Sequence, residues 1–189
     1  MELYHGTNQI IRKIDLSNSR LRTDFGKGFY LGSNLSVAEE WAKSRAAFSG
    51  TPIVMRYALD FAVFDNIMLN PQKFDAPSVE WLNFVRDNRR RNDKSVKTNE
   101  PRHSFGIVSG AIANDKVNFV VDDYIKGLIS AEEAIKKVRA IPSVFQVSIH
   151  TSAALAYLDE SSAEYKKLLD SGVWSEWYKI KMQYLIYKL

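Results

Sequence analysis

Glycine clustering in residues 23–32, TDFGKGFYLG, is the feature that most limits how this chain can fold. Three of its nine glycines, Gly26, Gly28 and Gly32, fall within these ten positions beside three aromatic residues. Glycine weakens helices and strand interiors, but it permits tight turns and lets the backbone approach another group closely. The stretch therefore predicts a glycine-rich hairpin or turn whose aromatic residues enter the core.

Composition limits the class of protein and the chemistry it can use. A chain of 189 residues with 46% hydrophobic content can bury one core, and it contains no apolar run long enough for a membrane span and no secretory signal at its start. We therefore expect a cytoplasmic protein without a membrane association. The absence of cysteine excludes disulfides, thiolate metal sites and a cysteine nucleophile, and three histidines make a zinc site unexpected.

Hydrophobic periodicity predicts strands interleaved with helices, without a regular βαβ rhythm, which favours an α+β fold. Asn34 and Ser130 are predicted to cap helices, the latter over residues 131–140. In residues 144–150, alternate positions are predicted to face the core, and Gln146 shares the opposite side with Ser148 and His150. The other predicted strands cover residues 2–6, 52–59 and 105–113, and the other predicted helices cover residues 76–90 and 151–160.

Positive charge is concentrated in residues 86–102, which carry seven cations against three acids. A patch of this kind attracts phosphate groups and could hold RNA. A helix that ends in a solvated, basic loop has the same composition, and this second interpretation is favoured.

Three segments resemble the motif strands of the ADP-ribosyltransferase superfamily: LYHGT at 3–7, GKGFYLG at 26–32 and VFQVSIHT at 144–151. More narrowly, the set LYHGT, TDFGKGFYL and QVSIHT, with ANDK at 113–116, resembles an uncharacterised bacterial toxin-like family, a domain of unknown function encoded beside small antitoxin genes. The resemblance extends over residues 2 to about 160. It implies an α+β, ADP-ribosyltransferase-like fold with two small mixed sheets around an NAD cleft and flanking helices.

The resemblance also implies roles for individual residues. His5 and Gly6 match the residues that grip NAD, Tyr30 matches the tyrosine that stacks near the nicotinamide, and Gln146 stands where a catalytic glutamate is usual. A histidine at a strand end can hydrogen-bond a ribose hydroxyl, and a tyrosine ring can cover a planar carboxamide. His5, Tyr30 and Gln146 are therefore the predicted catalytic residues, with no metal.

Further NAD contacts are expected around the first two motifs. Thr7 and Gly28 lie beside the matched residues, and Arg20 and Lys27 could pair with the pyrophosphate. Asp115 and Lys116 in ANDK are candidates to assist, although a turn after a buried strand is the favoured interpretation of that segment.

Because position 146 holds glutamine, three functions are compatible with the sequence: ADP-ribose transfer, NAD hydrolysis and binding without catalysis. Glutamine accepts a hydrogen bond as glutamate does, but it carries no charge to stabilise the cation that forms when the glycosidic bond of NAD breaks. Transfer of ADP-ribose to an unknown protein or nucleic-acid acceptor, with toxicity in a toxin-antitoxin pair, is the leading hypothesis. NAD hydrolysis is an alternative, and so is a catalytically inactive module that binds a nucleotide or RNA.

The predicted domain covers residues 1–162, and residues 163–189 form a separate extension. Aromatic residues from Trp174 to Tyr187 predict a helix that is apolar around much of its surface. Such a helix would pack on its own domain, or it would serve a homodimer or a small antitoxin.

Overall fold

The computed structural model describes residues 1–89, 103–112, 115–141 and 144–180, with the backbone alone at 115 and 116. The architecture is mixed α+β, as the interleaved pattern predicts, with eight strands and five helices in the described part of the chain. The strands are β1 (Glu2–Thr7), β2 (Phe29–Gly32), β3 (Ile53–Leu59), β4 (Gln72–Lys73), β5 (Ile107–Ala111), β6 (Phe145–Ile149), β7 (Leu158–Lys167) and β8 (Tyr178–Lys179). The helices are α1 (Leu35–Ala46), α2 (Val79–Arg89), α3 (Asp115–Ile125), α4 (Ala131–Arg139) and α5 (Ser152–Leu155).

Two compact units make up the chain, and each is assembled from separate segments. Unit 1 contains Met1–Ile14, Asn34–Asp60 and the chain from Leu158 onward, and unit 2 contains Asp15–Ser33 and Phe61–Tyr157. Long-range strand pairing holds each unit together, because neighbouring strands come from distant parts of the sequence.

Unit 1 is an antiparallel sheet in the order β1-β3-β7-β8, with α1 against it. The side chain of Asn34 accepts a hydrogen bond from the backbone N–H of Val37 at 3.2 Å, so the predicted N-cap is confirmed. Ala38 and Ala42 of α1 pack against Val54 of β3. These small side chains allow the helix to lie close to the sheet.

Unit 2 has the strand order β4-β5-β6-β2, in which only the short β4–β5 pair is parallel. Its core joins the sheet to helices α2, α3 and α4 through Trp81, Leu82, Val85, Val121 and Ile135. The predicted helix at 131–140 is confirmed as α4, and Ser130 caps it by accepting from the Glu133 N–H at 3.2 Å. All five residues of β5 are buried, as predicted for a strand covered on both faces.

The predicted alternation along β6 is present, and both of its faces are buried. Gln146 and Ser148 are buried as fully as Val147 and Ile149 on the opposite face. The reason is that unit 2 covers this second face as well: Val108 of β5, which pairs with Ser148, belongs to the helix-packed core. Alternation of polar and apolar residues therefore marks two faces that are both buried.

The helix predicted in the C-terminal segment is wrong for residues 163–180. Residues 163–167 continue strand β7, which pairs with β3, and Tyr178–Lys179 form β8. The helix predicted at 151–160 is likewise only one turn, α5, before β7 begins at Leu158. Pairing with a distant strand outweighs the local helical pattern here. Residues 181–189, including the rest of the predicted helix, lie outside the described residues.

Candidate functional site

The second and third motifs lie on neighbouring strands of unit 2. Strands β2 and β6 pair antiparallel, with Tyr30 opposite Ser148 and Gly32 opposite Gln146. Opposed residues of an antiparallel pair point to the same face, and so do residues two apart on one strand. Tyr30, Gln146 and Ser148 therefore share one face of the sheet.

Tyr30 fixes the conformation of the glycine-rich loop before it. Its hydroxyl donates to the carbonyl of Gly26 at 2.7 Å and accepts from the Phe25 N–H at 2.9 Å and from the Thr23 hydroxyl at 2.8 Å. Burial raises the pKa of Tyr30 above its ordinary value, which the hydrogen bond from Thr23 partly opposes. The tyrosine is thus held neutral, and its ring orientation is set by three bonds to one turn.

Two of the three motif glycines have separate structural reasons. Gly26 has φ +83°, a left-handed conformation in which other residues are strained. Gly28 has no positive φ, but a Cβ atom there would collide with the hydroxyl of Ser148 and lie 2.7 Å from Nδ1 of His150. The loop therefore needs glycine at one position for its turn and at the other for its close approach to β6.

Gln146 belongs to a buried polar chain that the sequence motifs do not indicate. Its side-chain amide donates to Oδ2 of Asp24 at 2.9 Å, and the other oxygen of Asp24 accepts from Nε of Arg89 at 3.0 Å and from Nη2 of the same guanidinium. The carbonyl of Ala111 lies 3.4 Å from the Gln146 amide nitrogen. Gln146 is 6% exposed and Asp24 is 8% exposed. The cluster Asp24–Arg89–Gln146 therefore places an ion pair at the end of a buried amide.

Two histidines extend the polar region along the loop. Nδ1 of His150 lies 2.7 Å from the carbonyl of Lys27, Nε2 of His103 lies 2.7 Å from the carbonyl of Phe25, and the two rings meet edge-on at 4.7 Å. Burial lowers the pKa of His150 to about 4, and it also lowers the pKa of His103. Both rings are therefore neutral at pH 7 and brace the glycine-rich loop through its backbone.

The first motif lies in unit 1, on β1. His5 is half-buried opposite Met55, and Thr7 is buried and accepts from the Gln9 N–H at 3.4 Å. A Cβ atom on Gly6 would collide with the carbonyl of Ala38 and lie 2.8 Å from the backbone nitrogen of Ala42. Packing against α1 thus requires glycine at this position whether or not the residue also binds a ligand.

The remaining predicted contacts occupy different settings. Arg20 is exposed, and Lys27 is half-buried with its carbonyl bonded to His150. Asp115 and Lys116 belong to helix α3, so the second half of ANDK is helical, whereas Ala113 and Asn114 and the side chains of Asp115 and Lys116 lie outside the described part.

Most of the basic segment 86–102 also falls outside the described residues. The two arginines that the structure describes there are engaged within unit 2. Arg86 donates to Asp87 at 2.8 Å and to the Tyr124 hydroxyl at 3.0 Å, and Arg89 is bonded to Asp24. These two cations therefore serve the fold of α2 rather than a solvent-facing phosphate site.

Comparison with known proteins identifies the family. A model described as "Protein of unknown function (DUF3990)" matches residues 1–159. The chain belongs to this DUF3990 family. No curated protein and no solved structure matches it. The matched residues include all three motifs of this chain, while membership in the ADP-ribosyltransferase superfamily stays a prediction.

Other site types find no support among the described residues. No group of three or more histidine and acidic side chains could hold a metal ion there, and no helix has the length and apolar character needed to cross a bilayer.

Proposed function

We propose that this member of the DUF3990 family transfers ADP-ribose from NAD to a macromolecular acceptor. The observation that carries the proposal is the pairing of β2 with β6, which puts Tyr30 and Gln146 on one face of unit 2. These two residues belong to separate motifs, 116 positions apart in the sequence, and each motif indicates its residue independently of the other. Their presence on adjacent strands is what a shared NAD-binding role requires.

The chemistry would be dissociative, with the residues of this chain orienting NAD. The Tyr30 ring, held in place by its hydroxyl bonds, would cover the nicotinamide, and the carbonyl oxygen of Gln146 would accept a hydrogen bond from the 2′-hydroxyl of the adjoining ribose. Nicotinamide leaves as its glycosidic bond breaks, the ribose takes on oxocarbenium character, and an acceptor nucleophile attacks. The NAD contacts of His5 and Gly6, in unit 1, remain predictions from the resemblance.

Release of free nicotinamide from NAD tests this function directly. We expect the purified protein to release nicotinamide, and we expect Gln146→Leu and His5→Ala each to lower the rate about 10-fold or more, since each removes an oriented hydrogen bond to the reacting half of NAD. Gln72→Ala, at a glutamine of the same unit on strand β4, is the matched control and should leave the rate unchanged.

Two additions make the outcome decisive. Cell lysate with NAD labelled in its adenylate portion supplies an acceptor: label that becomes bound to protein or nucleic acid supports transfer, whereas free labelled ADP-ribose alone supports the glycohydrolase alternative. Thermal unfolding of each variant separates loss of activity from loss of fold. Confirmed NAD binding without nicotinamide release, with and without lysate, would contradict both enzymatic hypotheses.

A second candidate, a binding module without turnover, is favoured by one specific observation. Gln146 is neutral, nearly buried and bonded to Asp24 within its own unit. A group in that setting can maintain the sheet without contacting a substrate. Calorimetry distinguishes the candidates: a binding module takes up NAD and leaves it intact over hours, and an RNA-binding module loses affinity steeply as salt rises.

A further inference from the structure

The two carboxylate oxygens of Asp24 contact different side chains, Arg89 and Gln146. Both contacts from Arg89 go to Oδ1, and the amide nitrogen of Gln146 lies 2.9 Å from Oδ2. The aspartate and the guanidinium are 11% and 17% exposed in their side chains, so water screens this interaction only weakly. The negative charge of Asp24 is therefore anchored on one side and faces the glutamine on the other.

The chemistry of these partners determines which way the Gln146 amide points. A carboxylate and a backbone carbonyl can only accept hydrogen bonds, and Oδ2 of Asp24 and the carbonyl of Ala111 both lie beside the Gln146 amide nitrogen. The NH2 group must occupy that side, and the carbonyl oxygen Oε1 must occupy the other. A carboxylate at the NH2 end also polarises the amide and increases the negative charge on Oε1.

The same contact disfavours an ionised glutamate at position 146. A glutamate in this rotamer would put a second carboxylate within hydrogen-bond distance of Asp24, and two carboxylates that close cannot both stay ionised. Glutamine avoids this conflict because it donates to the carboxylate. A neutral glutamine at position 146 is therefore compatible with the negative charge of Asp24, because its amide donates a hydrogen bond to that carboxylate.

We propose that Asp24, anchored by Arg89, is a positioning residue that orients and polarises the Gln146 amide, so that its carbonyl oxygen takes the place of a catalytic carboxylate. The inference rests on the proposed ADP-ribose transfer and deepens it. It makes the charge at position 24 and the amide at position 146 one functional pair, which can be exchanged as a unit.

Exchange of the pair is the test. In Asp24→Asn the single oxygen of the new amide stays with Arg89, its NH2 group faces Gln146, and the glutamine amide must turn over, which presents NH2 to the ribose. We expect kcat for nicotinamide release to fall roughly 10- to 100-fold, with a smaller change in KM for NAD. Gln146→Glu alone should also lose activity. The double variant Asp24→Asn with Gln146→Glu restores a donor-to-carboxylate contact, and its rate should return to within about 3-fold of wild type.

Stability against pH gives a readout that is independent of turnover. In Gln146→Glu the paired carboxylates raise the pKa of one of them, so the folded state binds a proton more tightly than the unfolded state and stability falls as pH rises from 5 to 8. The double variant should lack this additional pH dependence. Asp65→Asn, which changes an exposed aspartate of the same unit, is the control and should alter neither rate nor pH dependence.

The outcomes separate this inference from the proposed function. If wild-type protein releases nicotinamide and Asp24→Asn releases it equally fast, or if the double variant is no more active than Gln146→Glu, the inference is overturned and the function stands. If wild-type protein releases none, the transfer fails, and the coupling of positions 24 and 146 is judged by stability: additive effects of the two substitutions on unfolding would overturn the pairing as well.

Discussion

Each unit contains a cluster of opposite charges. In unit 1 the described charges pair with one another, whereas in unit 2 an ion pair also contacts a neutral amide. In unit 1, Lys166 pairs with Glu39 and Arg56 pairs with Glu164, and both cations also lie over the ring of Trp177, at 5.3 and 4.4 Å from its centroid. Each cation thus has a carboxylate and an aromatic face. Both cations of this cluster are balanced inside the cluster, so its contribution is to hold α1, the sheet and the C-terminal segment of unit 1 together.

In unit 2 the corresponding chain is open at one end. The ion pair of Arg89 and Asp24 continues into the neutral amide of Gln146, whose oxygen side faces away from the charge. A buried ion pair can often be replaced by apolar groups with little loss of stability, whereas the acceptor groups beside Gln146 set the orientation of its amide. This difference is why we assign a functional role to the cluster of unit 2 and a structural role to that of unit 1.

Removal of the anchoring cation should have the largest effect on stability. Arg89→Met removes the guanidinium that contacts Oδ1 of the nearly buried Asp24 while the Gln146 amide stays in place, and we expect the free energy of unfolding to fall by about 3 kcal/mol. Chemical denaturation at pH 7 measures this. Arg86→Met, at a more exposed arginine of the same helix, should cost less than about 1 kcal/mol. Equal costs for the two variants would show that Asp24 does not depend on its cation.

Acid should weaken unit 2 through a buried histidine. Burial lowers the pKa of His150 to about 4, so between pH 6.5 and 4 the unfolded chain binds a proton that the folded state does not, and stability falls as pH falls through this range. We expect a loss of about 2 kcal/mol by pH 4.5, measured as the free energy of unfolding.

The matched variant is His150→Phe, which keeps a flat ring against His103 but cannot be protonated. Its stability should change less between pH 7 and pH 4.5 than that of the wild type, by about the amount assigned to His150. An identical pH dependence in both proteins would show that His150 has the same pKa in the folded and unfolded states, and the lowered pKa assigned to it would then be wrong.

Helix caps and the alternation of polar and apolar residues were enough to predict those helices and strands that short-range sequence patterns determine. Side-chain caps at Asn34 and Ser130 placed the starts of α1 and α4, and alternation placed β6. Strand β7 escaped prediction because its register against β3 shifts between Arg56 and Ala58, and such an irregularity breaks the two-residue period that marks a strand. The aromatic residues that follow fit a strand or a helix equally well, and only their partner decides between them.

The sequence motifs of the candidate site could be predicted, but the Asp24–Arg89 ion pair beside Gln146 could not. Tyr30 and Gln146 were found from short segments, whereas Asp24 lies 122 positions from Gln146 and 65 from Arg89, separations at which no periodicity acts. The available signal was an aspartate within an apolar, glycine-rich stretch. Gly6 is a case in which structure adds a second reason: the resemblance predicts a ligand role, which stays a prediction, and packing against α1 also requires glycine there.

The smallest change in the free energy of unfolding should come from replacing both members of the Lys166–Glu39 ion pair in unit 1. Lys166→Met combined with Glu39→Gln removes both charges, keeps an unbranched chain beside Trp174 and Trp177, and should change the free energy of unfolding by less than about 1 kcal/mol.

Lys166→Met alone tests the same point from the other side. It leaves Glu39, which is 22% exposed in its side chain and can turn toward water, so the cost should stay near roughly 1 to 2 kcal/mol, below that of Arg89→Met. A double variant as unstable as the sum of its single variants would mean that the two charges act separately. Lys166 and Glu39 would then not form a coupled pair. The contrast between a structural ion pair in unit 1 and the functional charges Asp24, Arg89 and Gln146 in unit 2 would have to be given up.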